Sequence, residues 1–156
     1  MQKLNIAIPQ DAVWILNKLN EGGHEAYIVG GCVRDSILGR MPQDWDITTS
    51  ALPEETKTIF DHTFDTGIKH GTITVVLHHE NYEVTTYRID GEYADCRHPD
   101  EVSFTKKLNE DLLRRDFTMN AIAYHPKEGF RDPFHGQEDI AAGMIRGVGE
   151  PAKRFQ

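Results

Sequence analysis

The stretch YIVGGCVRDSILGRMPQDWDITTS, residues 27–50, decides the fold that this sequence predicts. Apolar residues 26–29 predict a short strand, which runs directly into Gly30 and Gly31. The residues after the glycines predict a helix at about 32–38 that ends at Gly39. Glycines between a strand and a helix let backbone N–H groups approach an anion, and the helix dipole favours negative charge there. This turn is therefore a candidate phosphate seat.

Asp44 and Asp46 stand two residues apart at a second predicted strand, which runs from Trp45 to Thr49. Alternate residues of a strand project from the same face, so both carboxylates should leave one face of it. Like charges so close repel each other unless a cation lies between them, and hard oxygen ligands suit Mg²⁺. Taken singly, Gly-Gly is usually only a turn, and Asp-x-Asp is more often solvated surface. A phosphate seat beside a magnesium site, in this order and spacing, indicates phosphoryl or nucleotidyl transfer.

Glu83 is the candidate for a third carboxylate, which would complete a site for two metal ions. Residues 82–89 alternate as a strand does and place Glu83 and Thr85 on one face. This strand could neighbour the one that carries Asp44 and Asp46. A solvent-facing glutamate at a strand end would give the same pattern, so both interpretations stay open.

The rest of the chain alternates helices and strands without the regular rhythm of a doubly wound sheet. Helices are predicted at 9–21, from Pro53 onward, at 108–115, again after Phe117, and at 137–142. Strands are predicted at 73–77, 82–89 and 144–148, with a hairpin turn at HHEN and a polar loop at 90–102. A chain of 156 residues that is 38% hydrophobic can bury one core. We therefore predict a single α+β domain with a small mixed or mostly antiparallel sheet covered by helices.

The net charge of −8 is unevenly distributed, because residues 1–96 hold 15 acidic and 7 basic residues and so carry the whole excess. An acidic half of this kind does not by itself attract RNA or DNA, so phosphate contacts should come from elsewhere or through a bound cation. The sequence has no long apolar run and no signal peptide, which predicts a cytoplasmic protein with no membrane partner. Cys32 and Cys96 form no CxxC pair and predict no disulfide framework.

Several segments together carry a family resemblance: VGGCVRD with QDWDITTSA, TGIKHGTITV, YEVTTYRIDGEYADCRHPDEVSF and LLRRDFTMNAIAY. They resemble the catalytic head domain of the bacterial class II tRNA nucleotidyltransferases, the CCA-adding enzymes, and that of the related bacterial poly(A) polymerases. The resemblance runs from about residue 24 to the end of the sequence. It implies the DNA polymerase β-like nucleotidyltransferase fold, whose head is a small mixed sheet with helices.

The resemblance implies roles for the glycine turn and for the Asp-x-Asp strand. Asp44 and Asp46 match the metal-binding pair, and the implied ligands are two Mg²⁺ ions with CTP or ATP. Asp35 matches an acid that fixes the turn and its helix. The residues that match the segment holding the triphosphate are Gly30, Gly31 and Arg34.

Two further segments match the family's pattern. In RRDFTMNA, Asp116 and Asn120 match the motif associated with the ribose of the nucleotide. Arg114 and Arg115 are placed to meet phosphates, whereas without the resemblance two arginines before an aspartate would more often be a salt-bridged helix end. The loop that resembles the family's flexible loop, used in switching from CTP to ATP, contains Asp95 and Arg97.

The implied reaction is template-independent addition of nucleotides to a tRNA. Metal ions held by Asp44 and Asp46 would activate the 3′-hydroxyl of the tRNA for attack on the α-phosphate of CTP or ATP, and pyrophosphate would leave. An A-adding enzyme and a bacterial poly(A) polymerase are the alternatives within the family. An alternative of another class is a non-catalytic nucleotide-sensing module, for which loss of a metal carboxylate would be the expected mark.

The family continues beyond its head into a helical neck, where a Glu-Asp-x-x-Arg motif reads the incoming base, and then into body and tail domains that hold tRNA. The sequence ends at GEPAKRFQ, before any such motif. We therefore expect residues 1–156 to be a head domain truncated from a longer enzyme. We also expect most contacts with tRNA to come from those other domains.

Overall fold

The computed structural model describes residues 6–42, 44–67, 70–90, 102–115, 117–148 and 152–154. The helices are α1 Gln10–Glu21, α2 Gly31–Ile37, α3 Pro53–Ile59, α4 Leu108–Leu113 and α5 Gly136–Ala142, with a 3-10 turn at Thr118–Asn120. The helices predicted at 9–21, 32–38 and 137–142 and the helix opened by Pro53 are confirmed. Within the described ranges, no helix has the length and apolar character that a bilayer crossing needs.

The strands form one seven-stranded mixed sheet and two small ribbons. They are β1 Ala26–Val29, β2 Asp46–Thr49, β3 Thr63–Gly67, β4 Thr72–Leu77, β5 Glu80–Thr86, β6 Arg88–Asp90, β7 Val102–Phe104, β8 Ala123–His125, β9 Gly129–Arg131, β10 Met144–Arg146 and β11 Ala152–Arg154. The order of strands in the large sheet is β3-β4-β5-β2-β1-β8-β9. One ribbon pairs β6 with β7, and the other pairs β10 with β11. All neighbouring strands are antiparallel except β2 and β5, which run parallel. The predicted α+β fold with a mostly antiparallel sheet is confirmed.

Apolar side chains pack on both faces of the large sheet. The larger core joins Leu16 of α1 to Ile28 of β1, and the smaller core joins Val29 of β1 to Leu112 of α4. Ile28 and Val29 are consecutive strand residues, so the two cores lie on opposite faces. Val29 pairs directly with Asp46 across β1 and β2, so Asp46 projects from the face of the smaller core. The predicted carboxylate site and α4 therefore share one face.

The hairpin between β4 and β5 turns on His78 and His79. Both have positive φ, of 50° and 67°, and Leu77 pairs with Glu80 across them. Two left-handed residues in a two-residue loop give a type I′ turn, whose twist matches that of the flanking strands. The hairpin predicted at HHEN is confirmed. His78 Nδ1 also lies 2.8 Å from Asp11 Oδ2, which ties the turn to α1.

Two predicted elements differ from the structure. The helix predicted after Phe117 is wrong, because one 3-10 turn is followed by β8 and β9. Strands of three residues are too short to show an alternation of apolar and polar residues, so the sequence contained no pattern that indicated strands instead of a helix. The strand predicted at 82–89 is divided into β5 and β6 at Tyr87, whose hydroxyl donates to Glu25 Oε1 over 3.0 Å.

His125 connects the sheet to α1. Its buried ring on β8 lies with Nε2 2.9 Å from Asn20 Oδ1, and the backbone N–H of Lys127 donates to Nδ1 over 3.1 Å. Because Nδ1 accepts a hydrogen bond, the hydrogen-bond network assigns the proton of the neutral ring to Nε2. Burial lowers the pKa of His125, although the charge of Glu128 opposes the shift.

We expect the free energy of unfolding to fall as the pH drops below about 6.5, the pKa of an unfolded histidine. The unfolded chain then takes up a proton that buried His125 resists, so acid favours unfolding. His125→Gln should lack this part of the pH dependence, and His62→Gln, which removes an exposed histidine, is the matched control. Denaturant unfolding at about pH 7.5 and about pH 5 measures the effect. An equal pH dependence in wild type and His125→Gln would contradict it.

Candidate active site

The glycine turn after β1 requires glycine at position 30. Gly30 has a φ of +84°, which residues with a Cβ rarely adopt. Its carbonyl accepts the N–H groups of Val33 and Arg34, each over 3.1 Å, and so begins α2. A Cβ at Gly30 would lie 3.4 Å from Nη1 of Arg115. The turn and the Arg115 guanidinium, both predicted to meet phosphates, are therefore immediate neighbours.

Arg34 is held on two sides by other predicted site residues. Its Nη1 donates to Asn120 Oδ1 over 2.9 Å, and its Nε and Nη2 both donate to Asp35 Oδ1 over 3.1 Å. Asn120 lies in the 3-10 turn, so these bonds connect α2 to a segment 86 positions away in the sequence. The structure thus brings Arg34, Asp35 and Asn120 together, and Asp35 holds the arginine; its role in fixing the turn stays a prediction.

One cleft contains both the glycine turn and the Asp-x-Asp pair. Its volume is about 460 Å³, and it opens beside the start of β2. The residues that line it are Gly31, Cys32, Arg34, Asp35, Arg40, Met41, Asp44 and Asp46. The sequence predicted a phosphate seat beside two carboxylates, and the structure places these two groups of residues in the same cleft.

Asp46 is surrounded by other carboxylates. It pairs directly with Glu83 across the parallel strands β2 and β5, so the predicted proximity of Glu83 is confirmed. The Asp46 side chain is open to the cleft, yet desolvation by the surrounding protein is the largest cause that raises its pKa. The charges of Glu83 and Asp44 raise that pKa further, and only Arg115 lowers it. The site therefore concentrates negative charge that a cation would neutralise.

The chemistry of the donors fits a magnesium ion. Asp44 and Asp46 offer hard oxygen ligands, and Mg²⁺ usually takes one or two protein carboxylates together with substrate phosphates and water. In the described part of the chain, no three His, Cys, Asp or Glu side chains are grouped closely enough to hold a metal by themselves. The aspartate pair thus fits an ion that arrives with a triphosphate, and Glu83 as a third ligand stays a prediction.

Glu83 also lines a second opening of about 420 Å³, whose other residues come from β3, β4 and their surroundings. Its lining is mostly polar and comprises Thr66, Gly67, His70, Thr72, Glu83 and Arg88. Nη1 of Arg88 donates to the backbone carbonyl of His70 over 2.8 Å. Glu83 therefore stands between this opening and Asp46.

Asp111 is a site residue that sequence reasoning missed. This α4 carboxylate is completely buried and lies next to Arg114 and Arg115, with Nη2 of Arg115 donating to Oδ2 over 3.3 Å. Burial is the largest cause that lowers the pKa of Arg115, while Asp111 and Asp46 raise it. The spacing of three and four residues to the two arginines was a signal for the ion pairs. No comparable signal indicated that the carboxylate would be buried.

Three predicted site residues, Asp95, Arg97 and Asp116, lie outside the described residues, as does Cys96. Cys32 is described and has no disulfide; it is buried beneath the glycine turn, and its thiol lies 3.3 Å from the carbonyl oxygen of Val29. Burial raises the pKa of Cys32 to about 11. A protonated thiol of this kind is a poor nucleophile, in keeping with a site that has no role for cysteine.

Comparisons with known proteins agree with this geometry. Residues 26–146 match the family described as the poly A polymerase head domain. The chain is 55% identical over 144 residues to a CCA-adding enzyme of Listeria monocytogenes and 52% identical over 145 residues to one of Leuconostoc mesenteroides. These alignments cover 92% and 93% of this chain but 37% and 36% of the two relatives.

A solved structure is similar over nearly the whole chain. It is the crystal structure of the Bacillus stearothermophilus CCA-adding enzyme in complex with CTP, with a TM-score of 0.81 and 49% sequence identity. The similarity covers 90% of this chain and 33% of that one. The chain thus spans about a third of the length of the proteins that it matches.

Proposed function

The chain belongs to the poly A polymerase head domain family, and on that premise we propose that it is the catalytic head of a CCA-adding enzyme. Such an enzyme transfers nucleotides from CTP and ATP to the 3′ end of tRNA. The observation that carries the proposal is the cleft in which Asp44 and Asp46 stand beside Gly31 and Arg34. The relatives that share this sequence and fold are CCA-adding enzymes, one of them solved with CTP.

The proposed roles of the residues follow from their positions in the cleft. Asp44 and Asp46 would hold Mg²⁺, which when bound supplies charge neutralisation at the triphosphate and activation of the attacking hydroxyl. Glu83 adds a third negative charge beside Asp46, on the side of the second opening. We assign the incoming triphosphate to the side of Gly31 and Arg34. The tRNA end would then approach from the side of Glu83.

The arginines would orient the phosphates by directed hydrogen bonds. Arg34 is already fixed by Asp35 and Asn120, so little side-chain entropy remains to be lost when a phosphate binds. The Nε atoms of Arg114 and Arg115 are buried and have no hydrogen-bond partner among the described residues. The donor that faces the glycine turn is Nη1 of Arg115, which lies 3.4 Å from the position of a Cβ on Gly30, so a phosphate bound at the turn would lie beside it.

A chimaera tests whether this head supplies the chemistry. It carries this chain in place of the matching segment of the Listeria monocytogenes enzyme, which is 55% identical over 144 residues. Incubated with Mg²⁺ and a tRNA that lacks its CCA end, it should add two C residues from CTP alone and complete CCA from CTP with ATP. Sequencing gel analysis of the tRNA ends measures the products, and the same chimaera with Asp44→Ala is the control.

Other products would contradict the proposal in distinguishable ways. Addition of a single A to a tRNA already ending in CC, with no C added to shorter ends, would indicate an A-adding head. A long A tail from ATP alone would indicate a poly(A) polymerase. A folded chimaera that adds nothing would favour a nucleotide-sensing module.

A further inference from the structure

Asp111 is a fully buried carboxylate at the centre of a hydrogen-bond network. Its Oδ1 accepts the backbone N–H of Arg88 over 3.0 Å, and its Oδ2 accepts the hydroxyl of Thr48 and Nη2 of Arg115, each over 3.3 Å. Nε of Arg114 lies 3.6 Å from Oδ1. One side chain thus connects α4 to β2, to β6 and to both arginines.

A buried carboxylate is expensive unless its charge is compensated. Removing an ion from water costs several kcal/mol, and replacing a buried ion pair by apolar groups is often neutral or stabilising. Stability alone is therefore a weak reason for an aspartate at position 111. The directed contacts to Arg114 and Arg115 give another reason, because they fix where the two guanidinium groups lie.

Arg115, one of the two arginines that Asp111 contacts, lies at the proposed triphosphate site. Nη1 of Arg115 is 3.4 Å from the position of a Cβ on Gly30, and its charge acts on Asp46. Nε of Arg114 and Nε of Arg115 are buried without a hydrogen-bond partner among the described residues. Asp111 engages Nη2 of Arg115, while Nη1 of the same guanidinium lies on the side of the glycine turn.

We propose that Asp111 is a positioning residue for triphosphate binding, which acts by holding Arg115 against the glycine turn. The inference rests on the proposed function, since it concerns the nucleotide of that reaction. Asp111 itself touches no substrate, because it is completely buried. Its effect on binding passes through Arg115.

The test is binding of CTP with Mg²⁺ to the 156-residue chain, measured by calorimetry for wild type and Asp111→Asn. The asparagine keeps the shape of the side chain but removes its charge. Its NH2 group replaces one of the two accepting oxygens, so this donor must face either the donors of Arg115 and Thr48 or the N–H of Arg88. We expect affinity for CTP to fall about tenfold, the usual worth of a hydrogen bond to a charged group. Asp61→Asn, which makes the same substitution at an exposed position, should bind CTP like wild type.

A double-mutant cycle separates positioning from simple loss of structure. If Asp111 acts through Arg115, Asp111→Asn should weaken CTP binding much less in an Arg115→Ala background than in wild type. If Asp111→Asn fails to fold, Arg115→Lys tests whether binding depends on the orientation of the guanidinium group. Lysine keeps the positive charge but lacks the planar guanidinium that can donate to Asp111 and to a phosphate at once. We expect Arg115→Lys to lose most of the affinity that Arg115→Ala loses.

The possible results test the positioning role of Asp111 separately from the proposed function. Wild-type binding with unchanged affinity in Asp111→Asn, or full affinity in Arg115→Lys, would overturn the positioning role and leave the proposed function intact. Effects that add fully in the double mutant would also overturn it. A wild-type chain that binds no CTP would overturn the positioning role, whereas the proposed function would be overturned by a folded chimaera that adds no nucleotide.

Discussion

Asp46→Ala should reduce nucleotide addition by the chimaera at least about 100-fold, because a metal contributes several kcal/mol of charge stabilisation and each 1.36 kcal/mol is a factor of ten in rate. The same change in the 156-residue chain should remove the Mg²⁺-dependent part of CTP binding. Incorporation of labelled CTP and calorimetry with and without Mg²⁺ measure the two effects. Asp61→Ala is the matched control, since it removes the same charge from an exposed position.

The Tm of Asp46→Ala should not fall, although its activity should. Burial, Glu83 and Asp44 raise the pKa of Asp46, so its ionised form is disfavoured in the folded chain. A carboxyl group whose pKa is higher in the folded chain than in the unfolded chain favours folding only at a pH low enough to protonate it. At neutral pH the group is ionised, and its charge destabilises the folded chain. Loss of the charge should therefore leave the Tm unchanged or higher. Turnover retained in Asp46→Ala would exclude Asp46 from the metal site.

Gly136→Ala should destabilise the chain by about 3 kcal/mol, the upper part of the range for overpacking, and lower its Tm by roughly 6–12 °C. A Cβ at this position would lie 2.1 Å from the carbonyl oxygen of Thr118, 2.7 Å from its carbon and 2.9 Å from Cδ1 of Ile122. The two closest atoms belong to the backbone, so a side-chain rotation does not relieve the contact. Thermal unfolding followed by circular dichroism measures the change.

The same substitution should also weaken CTP binding, because relief of the clash moves the 3-10 turn that contains Asn120, the partner of Arg34 at 2.9 Å. Gly22→Ala is the control, since its φ is −77° and its Cβ would meet no atom closer than 3.3 Å. It should cost under about 1 kcal/mol. Equal Tm values for the two alanine variants would show that α5 can move away from the turn without loss.

The parts of the site that the sequence predicted depend on local patterns. The turn at Gly30 follows from an apolar strand that runs into glycine, and the shared face of Asp46 and Glu83 follows from strand alternation with a parallel neighbour. Each pattern spans only a few residues, and the order and spacing of the patterns favoured the interpretation as a site. The family resemblance then assigned Arg34 and Asn120, which hydrogen-bond each other in the structure.

The parts that the sequence did not predict depend on distant contacts. Asp111 appears in the sequence as an ordinary acid in a polar helix, and it is buried because the backbone of Arg88 and the hydroxyl of Thr48 meet it. The close approach of Gly136 to Thr118 likewise has no local sign. Strands β8 and β9 are too short for a period, and they form because β8 pairs with β1 and β9 pairs with β8.

The sheet order places Asp46 on the central strand of the sheet. β2, which carries Asp46, is the middle strand of seven, with β5, β4 and β3 on one side and β1, β8 and β9 on the other. Fraying starts at edge strands and seldom reaches the centre without global unfolding. Under the proposed function, Asp46 is consequently a fixed reference point, and conformational adjustment during nucleotide transfer would fall to the groups that surround it.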